Sequence, residues 1–276
     1  MTSIIIPAHN EAATIGNNLT YLLEASKNLA VQIIIVCNGC HDKTAEIVNS
    51  FQNEFLCLET QVASKTFALN LGDQQATSYP RIYLDADVLL PQSSIEAIVK
   101  KLEEGYLAVA PEVKMDFTGC SWAVKAFYEI WLALPYCQAG MIGAGVYALS
   151  EQGRQRFDVF PNIIADDGYI RCLFSESERT AVKGVYSIVK APKNLWCLIK
   201  IKTRSRLGRY ELERKYPLLI NNELKNYRSA LKQYFFNVKK WPELSIYLIV
   251  NLISRLRAIY QTRTRYTQWE RDESNR

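Results

Sequence analysis

The sequence has little of several features that mark common classes of protein. It contains only two histidines, His9 and His41, which lie far apart in the chain, so we interpret both as polar loop residues rather than metal ligands. Its longest apolar stretch, 244–253, is interrupted by Asn251 and is about half as long as a transmembrane helix, which needs ~20 residues. Internal repeats and low-complexity segments are also absent. These absences argue against a membrane-spanning chain, a repeat protein and a histidine-built metal site.

Cysteine usage and charge indicate the compartment. The chain has seven cysteines, an odd number at scattered positions, and its opening Met1–Ile4 lacks the cationic segment that begins a secretory signal. We therefore expect free thiols and a cytoplasmic protein. Lys and Arg outnumber Asp and Glu by 33 to 28, and the basic residues concentrate after Lys190. Hydrophobic residues make up 49% of the 276 positions, which is enough to bury one large core.

The first two thirds of the chain alternate apolar strands with segments of helical periodicity. Continuous apolar strands joined by helices predict an α/β fold whose mostly parallel sheet is covered by helices on both faces. From about Leu195 the strand signals vanish, and helical stretches run to Trp269. We therefore predict an α/β domain over 1–194 and a basic, mainly helical extension over 195–276. The predicted strands are 3–7, 31–37, 55–59, 81–84 and 107–113, and the main predicted helices are 12–29, 44–51, 65–76, 121–134 and 166–174.

Three polar clusters follow predicted strands at the point where each strand ends. They are His9–Glu11, Asn38–Asp42 and Asp85–Asp87. Because the carboxyl ends of parallel strands meet at one edge, where ligands of such sheets bind, we expect the clusters to converge there. Asp85 and Asp87 place two hard oxygen ligands one residue apart, which suits a divalent cation that bridges the phosphates of a nucleotide. Asp-x-Asp alone is a weak signal, because turns are rich in aspartate.

Two further patterns invite other interpretations. Cys37–His41 spells C-x-x-C-H, which is typical of haem c attachment and contains a C-x-x-C redox pair. Without an export signal we set haem aside and keep a redox module as a distant alternative. The run 143–148 fits G-x-G-x-x-A, but a dinucleotide fingerprint belongs between the first strand and first helix of a βαβ unit. We interpret these as small residues that let the backbone pass close to a ligand or a strand.

The acidic pair Asp166–Asp167 and the basic C-terminal residues each leave two interpretations open. The acids could simply satisfy the amides at the start of a helix, or one could be a general base. Arg204 and Arg206 could lie on a solvated face or contact a phosphate. The segment 241–266 could be a basic amphipathic helix on an anionic membrane, or a helix packed against the core with a cationic outer face.

Taken together, these segments resemble the family 2 glycosyltransferases of the GT-A fold. Ile4–Glu11 matches the opening strand-Pro-x-Tyr/His-Asn-Glu, and Ile34–Thr44 matches a strand followed by Asp-Asp-Gly-Ser-x-Asp-x-Thr. Lys65–Gly72 matches Lys-x-x-Ala-Leu-Asn-x-Gly. The Asp-x-Asp at Asp85–Asp87 and the late pair Asp166–Asp167 complete five motifs in the family's order, over about residues 1–190.

The resemblance implies an inverting transfer from a nucleotide sugar, most often a UDP-sugar, with Mg²⁺ or Mn²⁺. It implies a nucleotide-sugar half over about 1–115 and an acceptor half over about 116–194. Asp167 would be the catalytic base, with Asp166 in a supporting role. Asp87 and Asp85 would bind the metal. The implied nucleotide-sugar contacts are Pro7, Ala8, Glu11, Asn38, Lys65, Asp85 and Ala86, to which the basic segment could add Arg204 and Arg206.

The sequence also departs from the family pattern. Cys37-Asn38 replaces the usual Asp-Asp, and Asn38 could still hydrogen-bond uracil, although the choice of nucleotide becomes less certain. Gln-x-x-Arg-Trp, typical of processive synthases, is absent, which favours addition of one sugar per encounter to a glycan, lipid-linked or small-molecule acceptor. Nucleic acid is not expected as a partner, and peripheral contact with the inner face of the membrane stays open. The alternative function is a nucleotide-sugar-binding protein or nucleotidyltransferase.

Overall fold

The computed structural model describes residues 1–51, 54–135, 137, 144–222, 232 and 234–264. Gly143 of the G-x-G pattern and the predicted helical residues 265–269 therefore lie outside the described residues. Within the described part of the chain, no helix combines the length and apolarity needed to cross a bilayer.

The described strands form one eight-stranded sheet with the order β3-β2-β1-β4-β7-β6-β8-β5. Its first half is parallel: β1 pairs with β2 on one side and β4 on the other, and β2 pairs with β3. In the second half, β7 runs antiparallel to β4 and β6, and β5 runs antiparallel to β8. The strands are β1 Thr2–Ala8, β2 Val31–Asn38, β3 Leu56–Thr60, β4 Arg81–Leu84, β5 Val88–Leu89, β6 Ala108–Asp116, β7 Val146–Leu149 and β8 Arg179–Lys190.

Helices connect most of these strands and dominate the C-terminal third. The α/β class, with a mostly parallel sheet and C-terminal helices, is confirmed. The α-helices of the described residues are α1 Ile15–Ser26, α2 Thr44–Asn49, α3 Lys65–Gln75, α4 Gln92–Glu103, α5 Trp122–Leu132, α6 Glu151–Arg154, α7 Asp166–Leu173, α8 Leu195–Lys215 and α9 Trp241–Thr264. Short 3₁₀ turns cover Leu219–Asn222 and Val238–Lys240.

The central strands are buried because helices cover them. Every residue of β1 and β4 is buried, which is why these strands read as continuous apolar runs rather than alternating ones. From β1 the chain adds β2 and β3 on one side of the sheet and then returns to place β4 on the other side of β1. The order in which strands are added therefore reverses between β1 and β4. Open α/β sheets bind ligands at the carboxyl ends on either side of such a reversal. The sheet therefore places the ends of β1 and β4 where the sequence predicts a site.

The strand β8 was not predicted. It has 12 residues, yet only Arg179 and Ser187 are buried, and Lys183 and Gly184 interrupt its apolar pattern. A strand with so little burial lacks both the continuous and the alternating apolar signal. Its existence depends on pairing with distant residues, such as Val88 with Val189.

Contacts divide the chain into two compact units, each made of several segments. The first unit contains 1–114, 141–162 and 173–189, and the second contains 115–140, 163–172 and 190–276. In the second unit, α5, α8 and α9 share one apolar core that includes Phe127, Leu198 and Val250. The segment 163–172 thus belongs to the same unit as the C-terminal helices, and the predicted domain boundary after residue 194 stays a prediction.

Candidate active site

The polar clusters after β1 and β2 contact each other at the carboxyl edge of the sheet. Ala8 pairs with Cys37 as these two strands end, and the His9 ring nitrogen Nδ1 lies against the Asn38 carbonyl. The His41 amide donates to Asn10 Oδ1 at 2.8 Å, and Asn10 has a positive φ of 52°, which asparagine tolerates better than most residues. The predicted convergence of the first two clusters is confirmed.

Glu11 is buried in the turn before α1, and the second cluster holds it there. Its amide donates to Thr44 Oγ1 at 2.7 Å, Thr44 donates in turn to Asp42 Oδ1, and the Ala12 amide donates to Asp42 Oδ2 at 3.0 Å. Burial alone would raise the pKa of the Asp42 carboxyl, but the hydrogen bonds from Thr44 and Ala12 outweigh it and lower that pKa. The Asp-x-Thr of the second motif therefore fixes the loops around the predicted nucleoside pocket.

Pro7, Ala8 and Asn38, the other predicted nucleoside contacts, are all buried at the ends of β1 and β2. A proline in a central strand is unusual because it lacks an amide donor. Here Pro7 lies two residues beyond the last β1–β4 pair, Ile5 with Tyr83, so β1 needs no donor toward β4 at this point. The chain can therefore carry proline where the two strands have separated.

The third cluster is joined to α3 by an ion pair. Lys65 Nζ lies 2.8 Å from Asp85 Oδ1, and the two side chains are 28% and 34% exposed. Lys65 is the first residue of α3, whose N-cap Ser64 accepts a hydrogen bond from the Phe67 amide. Asp87 is exposed. The structure thus brings together two of the residues predicted to contact the nucleotide sugar, Lys65 and Asp85.

The turn that carries the two aspartates is fixed by Asn18 and by Gly145 of the G-x-G pattern. Asn18 of α1 donates to the Ala86 carbonyl at 2.7 Å, and the Asp85 amide donates to the Gly145 carbonyl at 2.7 Å. Gly145 has a φ of 75°, and a Cβ there would lie 2.4 Å from Val88 Cγ2. This glycine of the G-x-G pattern lets the backbone pass close to a neighbouring strand, as predicted. Asn18 gave no sequence signal.

Two later residues of the motif Lys65–Gly72, Asn70 and Gly72, make structural contacts outside α3. Asn70 forms a reciprocal pair with the backbone of Phe160, donating to its carbonyl at 2.9 Å and accepting from its amide at 2.7 Å. A Cβ at Gly72 would lie 2.6 Å from Ile5 Cγ2, so only glycine lets α3 pack this close to β1. The motif therefore joins the helix, the sheet and the Asp85 ion pair.

A buried charged cluster centred on Asp73 contacts two residues of β4, Arg81 and Tyr83. Asp73 Oδ1 accepts a hydrogen bond from the Tyr83 hydroxyl at 2.8 Å and lies 2.6 Å from Arg81 Nη1, and Asp73 Oδ2 contacts Arg154 Nε. The Asp73 side chain is almost fully buried, and such a charge is tolerated only when it is paired. Burial also raises the pKa of Tyr83, which keeps its hydroxyl protonated as a donor. The cluster was not predicted, because it depends on a contact between Asp73 and Arg154, which lie 81 positions apart.

The chemistry of the donor set at this edge fits a hard divalent cation. Asp85 and Asp87 offer carboxylate oxygens, the ligands that Mg²⁺ and Mn²⁺ prefer. Among the residues that the structure describes, no group of three or more His, Cys, Asp or Glu side chains is arranged to hold a metal ion.

The acidic pair belongs to the second unit and opens α7. Asp166 is buried and Asp167 is half-buried, and Asp167 Oδ1 accepts from the Gly168 amide at 2.7 Å. The preceding loop is held by α8: the Ile164 amide donates to Glu211 Oε2 at 2.8 Å, and a Cβ at Gly208 would lie 2.7 Å from the Ala165 Cβ. The start of α7 is thus positioned by residues from the C-terminal third.

Basic residues of α8 also make contacts within the second unit. Arg206 donates from Nε to Ser254 Oγ at 2.9 Å and from Nη2 to Asn251 Oδ1 at 2.6 Å, so it connects α8 to α9. Lys202 Nζ lies 4.1 Å from the centre of the Trp131 ring. Arg204 is half-buried. The predicted phosphate contacts of Arg204 and Arg206 stay predictions.

Three thiols cluster beside the first two strand ends. No disulfide joins any of the seven cysteines, which all lie in the described part of the chain, and hydrogen bonding to Cys40 and Cys57 together with burial raises the pKa of Cys37. The bond with Cys37 lowers the pKa of Cys40 to about 6, and Cys40 Sγ lies 3.4 Å from the Ala8 carbonyl. The thiol cluster is therefore part of the edge that carries the predicted nucleoside pocket.

Comparison with known sequences decides the family. The sequence pattern described as Glycosyl transferase family 2 matches residues 3–145, which is just over half of the 276 residues. The chain belongs to glycosyl transferase family 2. This confirms the predicted family and the prediction that the chain is a glycosyltransferase. The match contains the first four motifs but ends before Asp166–Asp167.

Curated relatives of this family 2 glycosyltransferase match it only in part. An uncharacterized glycosyltransferase of Synechocystis is 28% identical over 138 residues, 46% of this chain and 43% of the relative. The undecaprenyl-phosphate 4-deoxy-4-formamido-L-arabinose transferase of Photorhabdus laumondii is 32% identical over 111 residues, 38% of this chain and 34% of the relative. The aligned regions thus span less than half the length of either relative.

Solved structures resemble the family 2 chain over nearly its whole length. The mannosyltransferase PcManGT of Pyrobaculum calidifontis, in complex with GDP-Man and Mn²⁺, superposes with a TM-score of 0.62 at 18% identity, covering 96% of this chain and 81% of its own. Residues 1–349 of S. aureus TarS, in complex with UDP, superpose with a TM-score of 0.53 at 11% identity, covering 99% and 94%. At these identities the likeness supports the fold.

Proposed function

We propose that the chain transfers one sugar from a nucleotide sugar to an acceptor hydroxyl, with inversion at the anomeric carbon and with Mg²⁺ or Mn²⁺. The observation that carries this proposal is the Asp85-Ala86-Asp87 turn, which leaves β4 at the reversal of the strand order and has Lys65 on Asp85. A nucleotide diphosphate needs its negative charge met by cations at such an edge, and this edge offers one lysine and two metal-binding carboxylates.

The nucleoside would bind at the ends of β1 and β2. Pro7, Ala8 and Glu11 would line its pocket. Hydrogen bonds such as that from the Glu11 amide to Thr44 already hold the backbone of this pocket in place. Asn38 stands where the family usually has an acid, and its amide could hydrogen-bond the edge of uracil. UDP is therefore the nucleotide that we propose first.

The metal would be held by Asp87 and Asp85. It would neutralise the diphosphate as that group leaves the sugar. Lys65 would exchange its contact with Asp85 for a contact with a phosphate oxygen, and Ala86 would lie beside the donor. The relative solved with GDP-Man and Mn²⁺ supports the use of a divalent cation.

Asp167 would take the proton from the acceptor hydroxyl as that oxygen attacks the anomeric carbon. A carboxylate at the first turn of a helix is held by the amides there, as Asp167 is by the Gly168 amide, so it can be oriented while it stays accessible. Buried Asp166 would support this position, and Arg204 and Arg206 would assist at phosphate.

The acceptor would be a glycan, a lipid-linked or a small-molecule hydroxyl, in the synthesis of a polysaccharide, glycolipid or other glycoconjugate. A relative named as an undecaprenyl-phosphate sugar transferase supports the lipid-linked class. We propose a cytoplasmic location with peripheral contact to the inner face of the membrane through the basic C-terminal helix. The family match disfavours the nucleotidyltransferase alternative.

A thermal-shift panel tests the proposed donor class. UDP-, GDP-, dTDP- and CMP-sugars are each added at rising concentration with Mn²⁺ and, separately, with a chelator. A donor raises stability by RT ln(1 + [L]/Kd), so a true donor should raise Tm in proportion to the logarithm of its concentration, and only with Mn²⁺. A panel in which no nucleotide sugar raises Tm would contradict the proposal.

A further inference from the structure

One face of α9 exposes a continuous row of large apolar side chains. Leu248, Leu252, Leu256 and Tyr260 are spaced four residues apart and are 43%, 59%, 58% and 67% exposed. Residues four apart lie above one another on a helix, so they form one strip, and a helix of 24 residues is ~36 Å long. The opposite face is used in packing through the buried residues Leu244, Tyr247, Val250, Ser254 and Ala258.

Further exposed apolar side chains contact α9 or lie just before it. Trp196, at the start of α8, is 51% exposed and lies under the guanidinium of Arg257, 4.5 Å from the ring centre. Other exposed residues lead into α9. These are Phe235, Phe236, Val238 and Trp241. Soluble proteins rarely leave so many apolar side chains uncovered together, so such a surface indicates a binding face.

The positive charge of this face indicates that its partner is negatively charged. Between Leu244 and Thr264 the chain has three arginines and no Asp or Glu. Arg255 and Arg263 are exposed on the same side as the leucine row, and exposed Lys239 lies just before α9. A second copy of the chain would bring these cations against each other. A surface that is apolar in its centre and negative around it would match both features.

We infer that this face of α9, with Phe235, Phe236 and Trp241, lies in the plane of an anionic phospholipid bilayer. The leucine row would enter the boundary between headgroups and acyl chains, and Arg255 and Arg263 would reach the lipid phosphates. The helix lies on the membrane rather than crossing it, since no described helix is apolar enough to span one. The inference deepens the proposed membrane contact of the transferase and rests on that proposal.

Vesicle flotation of the full chain tests the inference. The vesicles contain phosphatidylcholine alone or phosphatidylcholine mixed with phosphatidylglycerol. Wild-type protein should float with the mixed vesicles, and added NaCl should release it. The double variant Leu252→Gln/Leu256→Gln should lower the partition coefficient roughly tenfold or more, because the apolar side chains that enter the boundary are lost. Arg255→Gln/Arg263→Gln should lower it by a similar factor on the mixed vesicles only.

Matched controls use exposed residues of the first unit. Val62→Gln/Val159→Gln removes two exposed apolar side chains elsewhere, and Lys100→Gln/Lys183→Gln removes two exposed charges elsewhere. Both controls should float like the wild type. Tm and the Kd for the nucleotide sugar, measured without vesicles, should be the same in all variants. If no variant binds a nucleotide sugar while flotation behaves as expected, the donor proposal fails and the surface assignment stands.

Three results would overturn the inference. The first is equal flotation of the wild type and the two α9 variants. The second is equal flotation on neutral and mixed vesicles. The third is a wild-type dimer in light scattering that Leu252→Gln/Leu256→Gln converts to a monomer, which would make the face a contact between two copies of the chain.

Discussion

At the scale of single residues, the Lys65–Asp85 pair is suited to exchange. Both side chains are about one third exposed, and ion pairs of this kind contribute ~0–1 kcal/mol. A divalent cation and a diphosphate offer each residue a stronger partner, because both the metal and the phosphate carry more charge than a single side chain. We expect the pair to open when a donor binds. Because a change at Asp85 would also remove the partner of Lys65, the metal-binding role is tested on Asp87.

Replacing Asp87 with Ala should abolish metal-dependent turnover of the donor while leaving the fold intact. Asp87 is exposed, so its loss should change Tm little, whereas loss of a metal ligand should lower turnover by at least about 10²-fold. Turnover of the nucleotide sugar is measured across a Mn²⁺ titration. The matched variant Asp158→Ala removes an exposed aspartate of the same unit and should behave like the wild type. Full activity of Asp87→Ala would remove Asp87 from the metal site.

Asp167→Asn should reduce transfer without reducing donor affinity. An amide cannot accept the proton of the acceptor hydroxyl, and a positioned general base typically contributes about 10²–10⁴-fold. Asp166→Asn should cost less transfer, because we assign that buried side chain only a supporting role. The measurement is the transfer rate to one acceptor together with the donor Kd for both variants.

The comparison between the two variants separates three assignments. Greater damage from Asp166→Asn would place the base one residue earlier. Weak donor binding in both variants would make the pair part of the donor site. Only a loss of transfer confined to Asp167→Asn agrees with the proposed base.

Cys40 should react with iodoacetamide as a thiolate near neutral pH. Its pKa is lowered to about 6, chiefly by the hydrogen bond from Cys37, so the thiolate forms as the pH rises through that value. The alkylation rate of Cys40, followed by mass spectrometry, should rise through about pH 6 and level off above about pH 7, where nearly all of the thiol is ionised. The variant Cys37→Ser/Cys40→Ser should change donor affinity modestly at most. Loss of a thiol–disulfide activity in that variant would instead favour the redox alternative.

At the scale of elements, α3 separates what the sequence could predict from what it could not. The resemblance to the family implied that Lys65 contacts the nucleotide sugar, and in the structure Lys65 forms an ion pair with Asp85. The same motif gave no hint that Asn70 pairs with the backbone of Phe160 or that Gly72 packs on Ile5. These contacts join residues far apart in the chain, and local patterns carry no information about such pairs.

The strand β8 and the Asp73 cluster could not be predicted for the same physical reason. A local pattern reports burial and periodicity, and β8 has little of either. Asp73 carries no local signal of burial, yet it is buried in the interior, where Arg81 and Arg154 neutralise it. By contrast, β1, β2 and β4 were predicted closely, because burial on both faces leaves a continuous apolar run.

Helix α8 positions the start of α7, so Gly208→Ala should disturb the acidic pair. The added Cβ would lie 2.7 Å from the Ala165 Cβ, and overpacking of this kind costs ~1–3 kcal/mol, which is roughly 2–12 °C in Tm. Transfer should fall while the donor Kd stays unchanged. The matched variant Gly16→Ala adds a Cβ that meets only Ile47 Cγ2 at 3.4 Å and should leave both properties intact. Unchanged Tm and transfer in Gly208→Ala would contradict this support.

At the scale of the whole molecule, the proposed site residues fall in two units that interleave along the chain. The first unit carries the residues proposed to bind the donor, from Pro7 to Asp87, and the second carries the proposed base Asp167 together with α8 and α9. The sequence placed the five motifs in order but set its boundary at 194. Chain order alone could not show that 163–172 belongs with residues after 190, because the two segments are brought together only in the folded chain.

The central claim is that a divalent cation at Asp85 and Asp87 activates a nucleotide sugar. The most direct measurement is release of nucleoside diphosphate from the donor identified in the thermal-shift panel, in Mn²⁺, then in excess chelator, then after Mn²⁺ is restored. The account predicts turnover in the first and third conditions and none in the second, with Asp87→Ala inactive in all three. Equal release in chelator and in Mn²⁺ would contradict it.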